Sequence, residues 1–189
     1  MLARSFYDRP TLEVARDLIG KHIVYYSGEG KMSARIVEVE AYIGRDDPAC
    51  HASNGLTERN QVMFGKAGFS YVYFIYGMYH CLNFVTEAEG SPAAVLLRAA
   101  EPGEGLDIMR RNSPGQSDAQ LLSGPGKFCR SFGLTREHNG MDLTNSLLVI
   151  ENRGGPSARV ATSARVGIKK AAKRPWRFFD AGSSSVSRS

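Results

Sequence analysis

The chain has 189 residues, of which 42% are hydrophobic and 23% are charged, and its formal net charge is +5. This length suits a single domain with a substantial core, and no apolar run approaches the roughly 20 residues that a membrane-spanning helix requires. The start of the chain has no long apolar stretch before a cleavage site, so no signal peptide is predicted. Cys50, Cys81 and Cys129 are odd in number and widely spaced, which predicts free thiols in a reducing compartment and no zinc site.

The positive charge is concentrated toward the C-terminal end. Residues 153–178 contain eight basic side chains and no acidic one, and the rest of the chain has more acidic than basic residues. Such asymmetry favours a polyanionic partner, with nucleic acid first. From charge alone, a solvated basic face is an equally good explanation. The eight residues are Arg153, Arg159, Arg165, Lys169, Lys170, Lys173, Arg174 and Arg177.

The first third of the chain predicts a helix, two strands and a long connection. Residues 10–20 place their apolar side chains on one helical face and end in a glycine. Strands are predicted for residues 22–26 and 34–42, joined by a turn that contains glycine. Residues 44–68 are polar, and loops of this length without structure of their own are usually functional.

The second predicted strand carries two carboxylates on one face. Strict alternation places Ile36, Glu38, Glu40 and Tyr42 on the same side of the strand. Two carboxylates and a tyrosine beside apolar neighbours form a candidate site. An exposed strand face is the plainer interpretation of the same pattern.

Residues 69–84 are aromatic and β-branched, with Gly77 near the centre, and predict two strands joined by a tight turn. Tyrosines lie on both faces of the first of these strands, which is more aromatic surface than a half-buried hairpin needs. The rings therefore either form the core of a small sheet or stack on a flat ligand.

The rest of the sequence predicts further strands with helices between them. Residues 93–99 read as a buried strand whose one charge, Arg98, requires an anion or a set of acceptors, and a core salt bridge is the plain explanation. Helices are predicted for residues 105–111 and from Ser123-Gly-Pro-Gly-Lys127 to about residue 132, where the first amides and Lys127 are suited to one phosphate group. Short strands are predicted at 147–151, 158–163 and 176–180. The result is an α+β (mixed α/β) fold in a single domain, residues 1–180, followed by a loose tail, residues 181–189.

Several blocks of sequence occur together in a fixed order along nearly the whole chain. They are Glu38-Val-Glu-Ala-Tyr-Ile-Gly44, Thr57-Glu-Arg-Asn60, Tyr71-Val-Tyr-Phe-Ile-Tyr-Gly-Met78, Leu96-Leu-Arg-Ala-Ala-Glu-Pro102, Leu122-Ser-Gly-Pro-Gly-Lys127 and Ala164-Arg-Val-Gly167. In these blocks the chain resembles the alkyladenine (3-methyladenine) DNA glycosylases of the bacterial type. The resemblance implies one compact domain with a central curved antiparallel sheet, surrounding helices and a hairpin that protrudes into the DNA minor groove.

The resemblance also implies an activity. Such enzymes are monofunctional DNA glycosylases of base excision repair, which flip alkylated or deaminated purines out of duplex DNA and hydrolyse the N-glycosidic bond, leaving an abasic site. The substrate class contains 3-methyladenine, 7-methylguanine, hypoxanthine and ethenoadenine. By resemblance, Glu40 is the general base that activates water, and Arg98 and the main chain of Val166 orient that water. An ordinary carboxyl pKa is sufficient for this role, and Glu38 is the next candidate for it.

The resemblance assigns a base pocket. Tyr42, His51 and Tyr73 sandwich the flipped base, which suits the cationic 3-methyladenine and 7-methylguanine because electron-rich rings attract cations. Asn83 clashes with the exocyclic amine of guanine and so excludes a normal base. Other side chains of the aromatic hairpin are expected to pack in the sheet, namely Tyr71, Val72 and Phe74.

DNA contacts follow from the same resemblance. Tyr76 fills the gap left by the extruded nucleotide, and Thr57, Met78, Tyr79 and Lys127 contact the DNA backbone. No metal or cofactor is expected. The expected partner is damaged double-stranded DNA, approached from the minor groove by a monomeric, nucleoid-associated protein of the bacterial cytoplasm, with no membrane.

Two alternatives to this function remain at the level of sequence. A non-catalytic damage-binding DNA protein is one, and the presence of the Glu40 carboxylate argues against it. A bifunctional glycosylase-lyase is the other, for which Lys127 is the one candidate amine nucleophile.

Overall fold

The described part of the computed structural model, residues 1–154 and 157–187, forms one curled antiparallel sheet with helices against it. The strands are β1 (His22–Ser27), β2 (Gly30–Ile43), β3 (Ser70–Ile75), β4 (Tyr79–Val85), β5 (Ala93–Pro102), β6 (Leu148–Glu151), β7 (Val160–Ser163) and β8 (Arg177–Asp180). Their order is β3-β4-β5-β2-β1-β6, with β8 beside β2 and β7 beside β8. The predicted α+β fold with a central curved antiparallel sheet is confirmed.

The long strand β2 organises the sheet. Its first half pairs with β1, its second half pairs with β8, and β5 runs along its other edge. Residues in the second half of β2 are therefore enclosed between two neighbouring strands. Glu38 and Glu40 lie in this half and are fully buried. Burial of two carboxylates requires donors from the surrounding elements.

A β-bulge interrupts the alternation predicted for β2. Between Ile36 and Val39 the pairing with β5 shifts register twice, which makes Val37 and Arg98 the extra residues of the two strands. Ile36 and Val39 consequently lie in the same core, so the predicted face that joined Ile36 to Glu38 is wrong. Bulges commonly re-aim side chains beside active sites, and this one brings Arg98 next to the two carboxylates.

The two faces of the sheet are covered differently. Helices α2 (Thr11–Leu18), α3 (Leu106–Asn112) and α4 (Pro125–Ser131), together with the short α1 (Arg4–Tyr7), supply buried residues to the main core. The connection 44–68 contains a single 3-10 turn, Gln61–Phe64, and packs into a smaller cluster with residues of β3, β4 and β5. The three cysteines are buried and free, as predicted. No helix within the described ranges is long and apolar enough to cross a membrane.

The aromatic segment forms the hairpin β3–β4. Tyr76 and Gly77 at its tip both have positive φ, +55° and +67°, as a type I′ turn requires. Tyr71 and Val72 are buried in the sheet as expected, but Phe74 is 43% exposed, so its predicted packing in the sheet is wrong. Phe74 lies next to the end of β3, and its ring packs 5.0 Å from that of His80 on the paired strand β4.

The C-terminal segment differs from the loose tail that the sequence predicts. Ser185 and Ser187 are buried, and the Ser183 hydroxyl donates to Glu101 on β5. The backbone N–H of Ser187 donates to the buried carboxylate of Glu38 at 2.6 Å. Small polar residues usually mark solvated ends, but here they supply donors that the buried carboxylate needs. Residues 188 and 189 of the predicted tail lie outside the described residues.

Candidate active site

A cavity of about 270 Å³ opens between the second half of β2, the hairpin β3–β4, β5 and residues 166–168. Its lining is mainly aromatic and apolar with a few polar groups, which is the usual composition of a small-molecule site. The structure brings together at this cavity most of the residues that the sequence nominates for catalysis and base binding, together with the nominated intercalating residue. They are Tyr42, His51, Tyr73, Tyr76, Asn83, Arg98 and Val166.

Glu40 lies directly behind this lining. Its Oε1 accepts the backbone N–H of Val166 at 2.7 Å, and its Oε2 accepts the Tyr42 hydroxyl at 2.8 Å. The Arg98 Nε is 3.4 Å from Oε1. All three groups that hold the carboxylate also line the cavity, so the fully buried Glu40 lies immediately behind the cavity wall.

The environment of Glu40 raises its carboxyl pKa. Burial is the largest cause and disfavours the charged form, while Arg98, the Val166 N–H and the Tyr42 hydroxyl offset part of this effect. The neighbouring carboxylate of Glu38 raises the pKa further. The sequence argument needed only an ordinary pKa, and the structure gives a stronger base whose charged form is stabilised by fixed donors.

Glu38 has a different environment from Glu40. Its two oxygens accept from the Nε atoms of Arg98 and Arg177 at 3.0 and 2.7 Å. They also accept from the backbone N–H and the hydroxyl of Ser187 at 2.6 and 2.8 Å. Three of these donors bond to Oε1 and one bonds to Oε2, so Glu38 is held by two cations and by the end of the described chain.

His51 is held at the cavity mouth by its neighbours. Its ring lies 4.5 Å from the Tyr73 ring centroid, and its Nδ1 is 2.9 Å from the Tyr71 hydroxyl. The enclosure of the ring by these tyrosines, followed by the charge of Arg59, lowers the pKa of His51 to about 4. His51 is therefore neutral at pH 7. Its carbonyl accepts the side-chain amide of the buried Asn60 at 2.9 Å, which fixes this part of the connection.

Asn83 is a buried part of the cavity wall on β4. Its side-chain amide donates to the carbonyl of Tyr71 on the paired strand β3 at 3.1 Å. This bond sets the orientation of the amide group, so Asn83 presents a fixed polar edge to the cavity.

Arg165 is a site residue that the sequence argument missed. Its guanidinium is buried, forms a bidentate ion pair with Asp47, and donates to the Ala41 carbonyl at 2.9 Å. It lies 4.6 Å from the Tyr42 ring centroid and 5.2 Å from that of Trp176. Arg165 thus supports the Tyr42 wall from behind and anchors the chain next to Val166. Its place in the block Ala164-Arg-Val-Gly167 was the available signal.

The predicted DNA contacts lie around the mouth of the cavity. Tyr76 and Met78 are 80% and 63% exposed at the hairpin tip. Tyr76, Tyr79 and Lys127 line a second hollow between the hairpin and the start of α4. Among the described residues, Lys127 lines this hollow and another one that it shares with Arg98, but not the candidate cavity. Thr57 is exposed on the connection 44–68.

Comparison with known proteins points to one family. A family model described as methylpurine-DNA glycosylase (MPG) matches residues 5–184. A protein of Methanocella arvoryzae is 51% identical over 192 residues, covering 100% of this chain and 96% of that protein. Similar proteins of Alkaliphilus oremlandii and of a Wolbachia are 46% and 49% identical, covering 99% and 94% of this chain and 98% and 96% of those proteins. The names of all three give 3-methyladenine DNA glycosylase as a provisional activity.

Proposed function

Because the chain belongs to the methylpurine-DNA glycosylase family and is a DNA N-glycosylase acting on damaged DNA, we propose that it excises purine lesions with a water activated by Glu40. The substrates are 3-methyladenine, 7-methylguanine, hypoxanthine and ethenoadenine in duplex DNA. The observation that carries this proposal is the buried Glu40 carboxylate, held by Val166, Tyr42 and Arg98 immediately behind the wall of an aromatic cavity.

The size of the cavity supports base flipping. A volume of about 270 Å³ suits one base and is too small for a stack of bases. The sugar carbon of a stacked nucleotide is inaccessible, so the lesion must leave the duplex before its bond is cleaved. Tyr42 and Tyr73 then bind the base between their rings, with His51 at the edge. A neutral His51 adds no repulsion against a cationic methylpurine.

Hydrolysis follows from the placement of Glu40. The carboxylate takes a proton from water as the water oxygen bonds to C1′ of the sugar, and the bonding electrons of the C1′–N bond leave with the base. A cationic methylpurine departs as a neutral base and needs no protonation, whereas a neutral hypoxanthine or ethenoadenine departs as an anion that takes up a proton from solvent. Glu40 also stabilises the positive charge that develops on the sugar, while Arg98 and the main chain of Val166 orient the water.

The remaining residues are proposed to select the lesion and bind the duplex. Asn83 excludes guanine through its exocyclic amine. Tyr76 enters the stack from the minor groove and fills the gap, at an unstacking cost of roughly a few kcal/mol. Backbone contacts come from Thr57, Met78, Tyr79 and Lys127, and a single copy of the chain binds one lesion.

Release of free base from duplex DNA containing hypoxanthine or 7-methylguanine tests this proposal. Under single-turnover conditions we expect the wild-type protein to release the base. Glu40→Gln should slow release by a factor of about 10² to 10⁴, the usual contribution of a general base, with DNA binding retained. Glu29→Gln, which removes an exposed carboxylate paired with Arg111, should cleave at the wild-type rate. Wild-type cleavage by Glu40→Gln would contradict the role of Glu40, and no release from any lesion by the intact protein would contradict the proposed substrates.

A further inference from the structure

Ser187 contacts three charged groups next to Glu40, namely Glu38, Arg98 and Arg177. Its N–H and its hydroxyl both donate to Glu38, at 2.6 and 2.8 Å. Its hydroxyl also accepts from the Arg98 Nη2 at 3.2 Å, and its carbonyl accepts from the Arg177 Nη2 at 3.1 Å. Ser187 is 7% exposed, so these bonds lie in a region of low dielectric constant, where each counts for more than at the surface.

Arg98 is shared between two carboxylates. Its Nε is 3.0 Å from Glu38 and 3.4 Å from Glu40. The nearer carboxylate attracts it more strongly, and the donors of Ser187 reduce that attraction because they satisfy part of the charge on Glu38. Without them, Glu38 would depend on Arg98 and Arg177 alone, and Arg98 would move away from Glu40.

From these contacts we infer that the C-terminal segment completes the catalytic site, with Ser187 as a positioning residue that keeps Arg98 beside Glu40. The inference rests on the proposed role of Glu40 as the general base. It assigns a function to the end of the chain, far in sequence from the site blocks. Ser187 does not touch the base cavity and acts through Glu38 and Arg98.

The expected signature is a change in the pH dependence of cleavage. Glu40 must be ionised to accept a proton, so the rate falls as pH falls through its pKa. Loss of Arg98 from its side removes a stabilising cation and raises that pKa, which moves the acid limb of the pH–rate profile to higher pH. The charged and titratable groups that face Glu40 are Glu38 and Tyr42 on β2, Arg98 on β5 and Arg165 before Val166.

Two full-length variants test the inference. Ser187→Ala removes the hydroxyl and keeps the N–H, and Ser187→Pro removes both donors. With hypoxanthine-containing duplex DNA under single-turnover conditions, we expect cleavage on the acid side of the profile to slow by about tenfold for Ser187→Ala, the factor by which the ionised fraction falls when the pKa of Glu40 rises by about 1. Ser187→Pro should slow it further. Both should show an acid limb shifted to higher pH and little change at high pH.

Ser183→Ala is the matched control. It removes another hydroxyl of the same segment, one that donates to Glu101 away from Glu40, and it should keep the wild-type profile. Thermal unfolding shows whether each variant is folded. If Ser187→Pro does not fold, the result for Ser187→Ala decides the inference. An unchanged acid limb in a folded Ser187→Ala protein, with or without a uniform loss of rate, overturns the inference. Such a result would leave the proposed function intact, because that function fails only if the wild-type protein does not cleave or if Glu40→Gln cleaves at the wild-type rate.

Discussion

At the scale of single residues, the site depends on two neighbouring carboxylates that are placed in unlike environments. Glu38 is surrounded by four donors, whereas Glu40 has two hydrogen-bond donors and a more distant share of Arg98. Pairs of titratable groups with unlike environments are a common basis for dividing roles in an active site. Here the division leaves Glu38 as a structural anion and Glu40 as the group available for proton transfer.

The hydrogen bond from the Tyr42 hydroxyl leads to a prediction about the pKa of Glu40. It donates to Glu40 and so helps to lower a pKa that burial raises. Tyr42→Phe keeps the ring for stacking but removes this donor, so the pKa of Glu40 should rise. We expect the rate of cleavage of hypoxanthine-containing DNA to fall by about tenfold on the acid side of the pH–rate profile and by much less at higher pH. This is the effect expected from the loss of one hydrogen bond to a charged group.

The pH–rate profile of Tyr42→Phe is the measurement, and Tyr25→Phe is its control. Tyr25 also loses a bonded hydroxyl, but its partner is His138 and both lie outside the cavity lining. A Tyr42→Phe profile that is lowered equally at all pH values would show that the hydroxyl does not act on the ionisation of Glu40.

Much of the site was predictable from sequence at this scale, and the reasons for the omissions are physical. Glu40, Tyr42 and Arg98 stand in compact blocks that the family resemblance already grouped into one site, whereas residue types alone favoured an exposed strand face and a core salt bridge. Arg165 looked like one more surface charge, because nothing local shows that it pairs with Asp47, 118 positions earlier. The bond between Ser187 and Glu38 spans 149 positions. Local patterns do not encode such long-range contacts.

At the scale of elements, the hairpin β3–β4 combines exposure with backbone strain. Tyr76 adopts a φ of +55°, which costs a residue with a side chain about 1–2 kcal/mol relative to its usual conformations. Strain of this kind often marks a functional position. The turn aims an 80% exposed ring away from the sheet, where it is free to enter a DNA stack.

Tyr76→Gly should therefore separate stability from activity. Glycine accepts positive φ without strain, and after allowance for its greater freedom when unfolded, we expect the free energy of unfolding to rise by about 0.5–1 kcal/mol. Cleavage of a lesion in duplex DNA should fall because nothing fills the gap, while cleavage in a single strand should change little.

Denaturant unfolding and paired duplex and single-strand assays check this prediction. Tyr76→Ala is the control, since it removes the ring but keeps a side chain at positive φ. It should lose duplex activity to the same extent without the gain in stability. Equal losses on duplex and single-stranded DNA would argue against a wedge.

The elements themselves show where pattern reasoning succeeds. Most strands and helices were predicted close to their observed bounds because hydrophobic periodicity reflects burial directly, but α1 was not predicted and β2 begins at Gly30 rather than at residue 34. The bulge in β2 was not predicted, because one unpaired residue does not change the composition of the strand. Its presence can be recognised only when the pairing with β5 is known. For this reason Ile36 was wrongly predicted to share a face with Glu38, whereas it lies in the core with Val39.

At the scale of the whole molecule, the basic segment divides into internal and external charges. Arg153 pairs with Glu104 and Glu151, and Arg165 and Arg177 are buried in ion pairs of the site. These arginines stabilise the fold and are neutralised within it. The lysines of the same segment, Lys169, Lys170 and Lys173, are exposed. The asymmetry read from sequence therefore overstates the positive charge that this segment leaves unpaired at the surface, which lies mainly on these lysines.

The exposed lysines lie next to the cavity, because Gly167 and Ile168 belong to its lining. A duplex that delivers a base to the cavity would pass its backbone over this region. Binding to phosphates releases counterions, with a salt slope of about 0.9 per contact on duplex DNA. The double variant Lys169→Gln, Lys170→Gln should therefore weaken binding and reduce the slope of log K against log salt by about 1 to 2.

Fluorescence anisotropy with lesion-free and hypoxanthine-containing duplexes over a range of salt concentrations measures this slope. The matched control is Arg16→Gln, Lys21→Gln, which removes the same charge at α2 and the start of β1, outside the cavity lining. Its slope should equal that of the wild type, which separates local contacts from net charge. Because phosphate contacts carry no information about the base, both duplexes should lose affinity by a similar factor. An equal loss in the control variant would show that overall charge, rather than the surface beside the cavity, governs DNA binding.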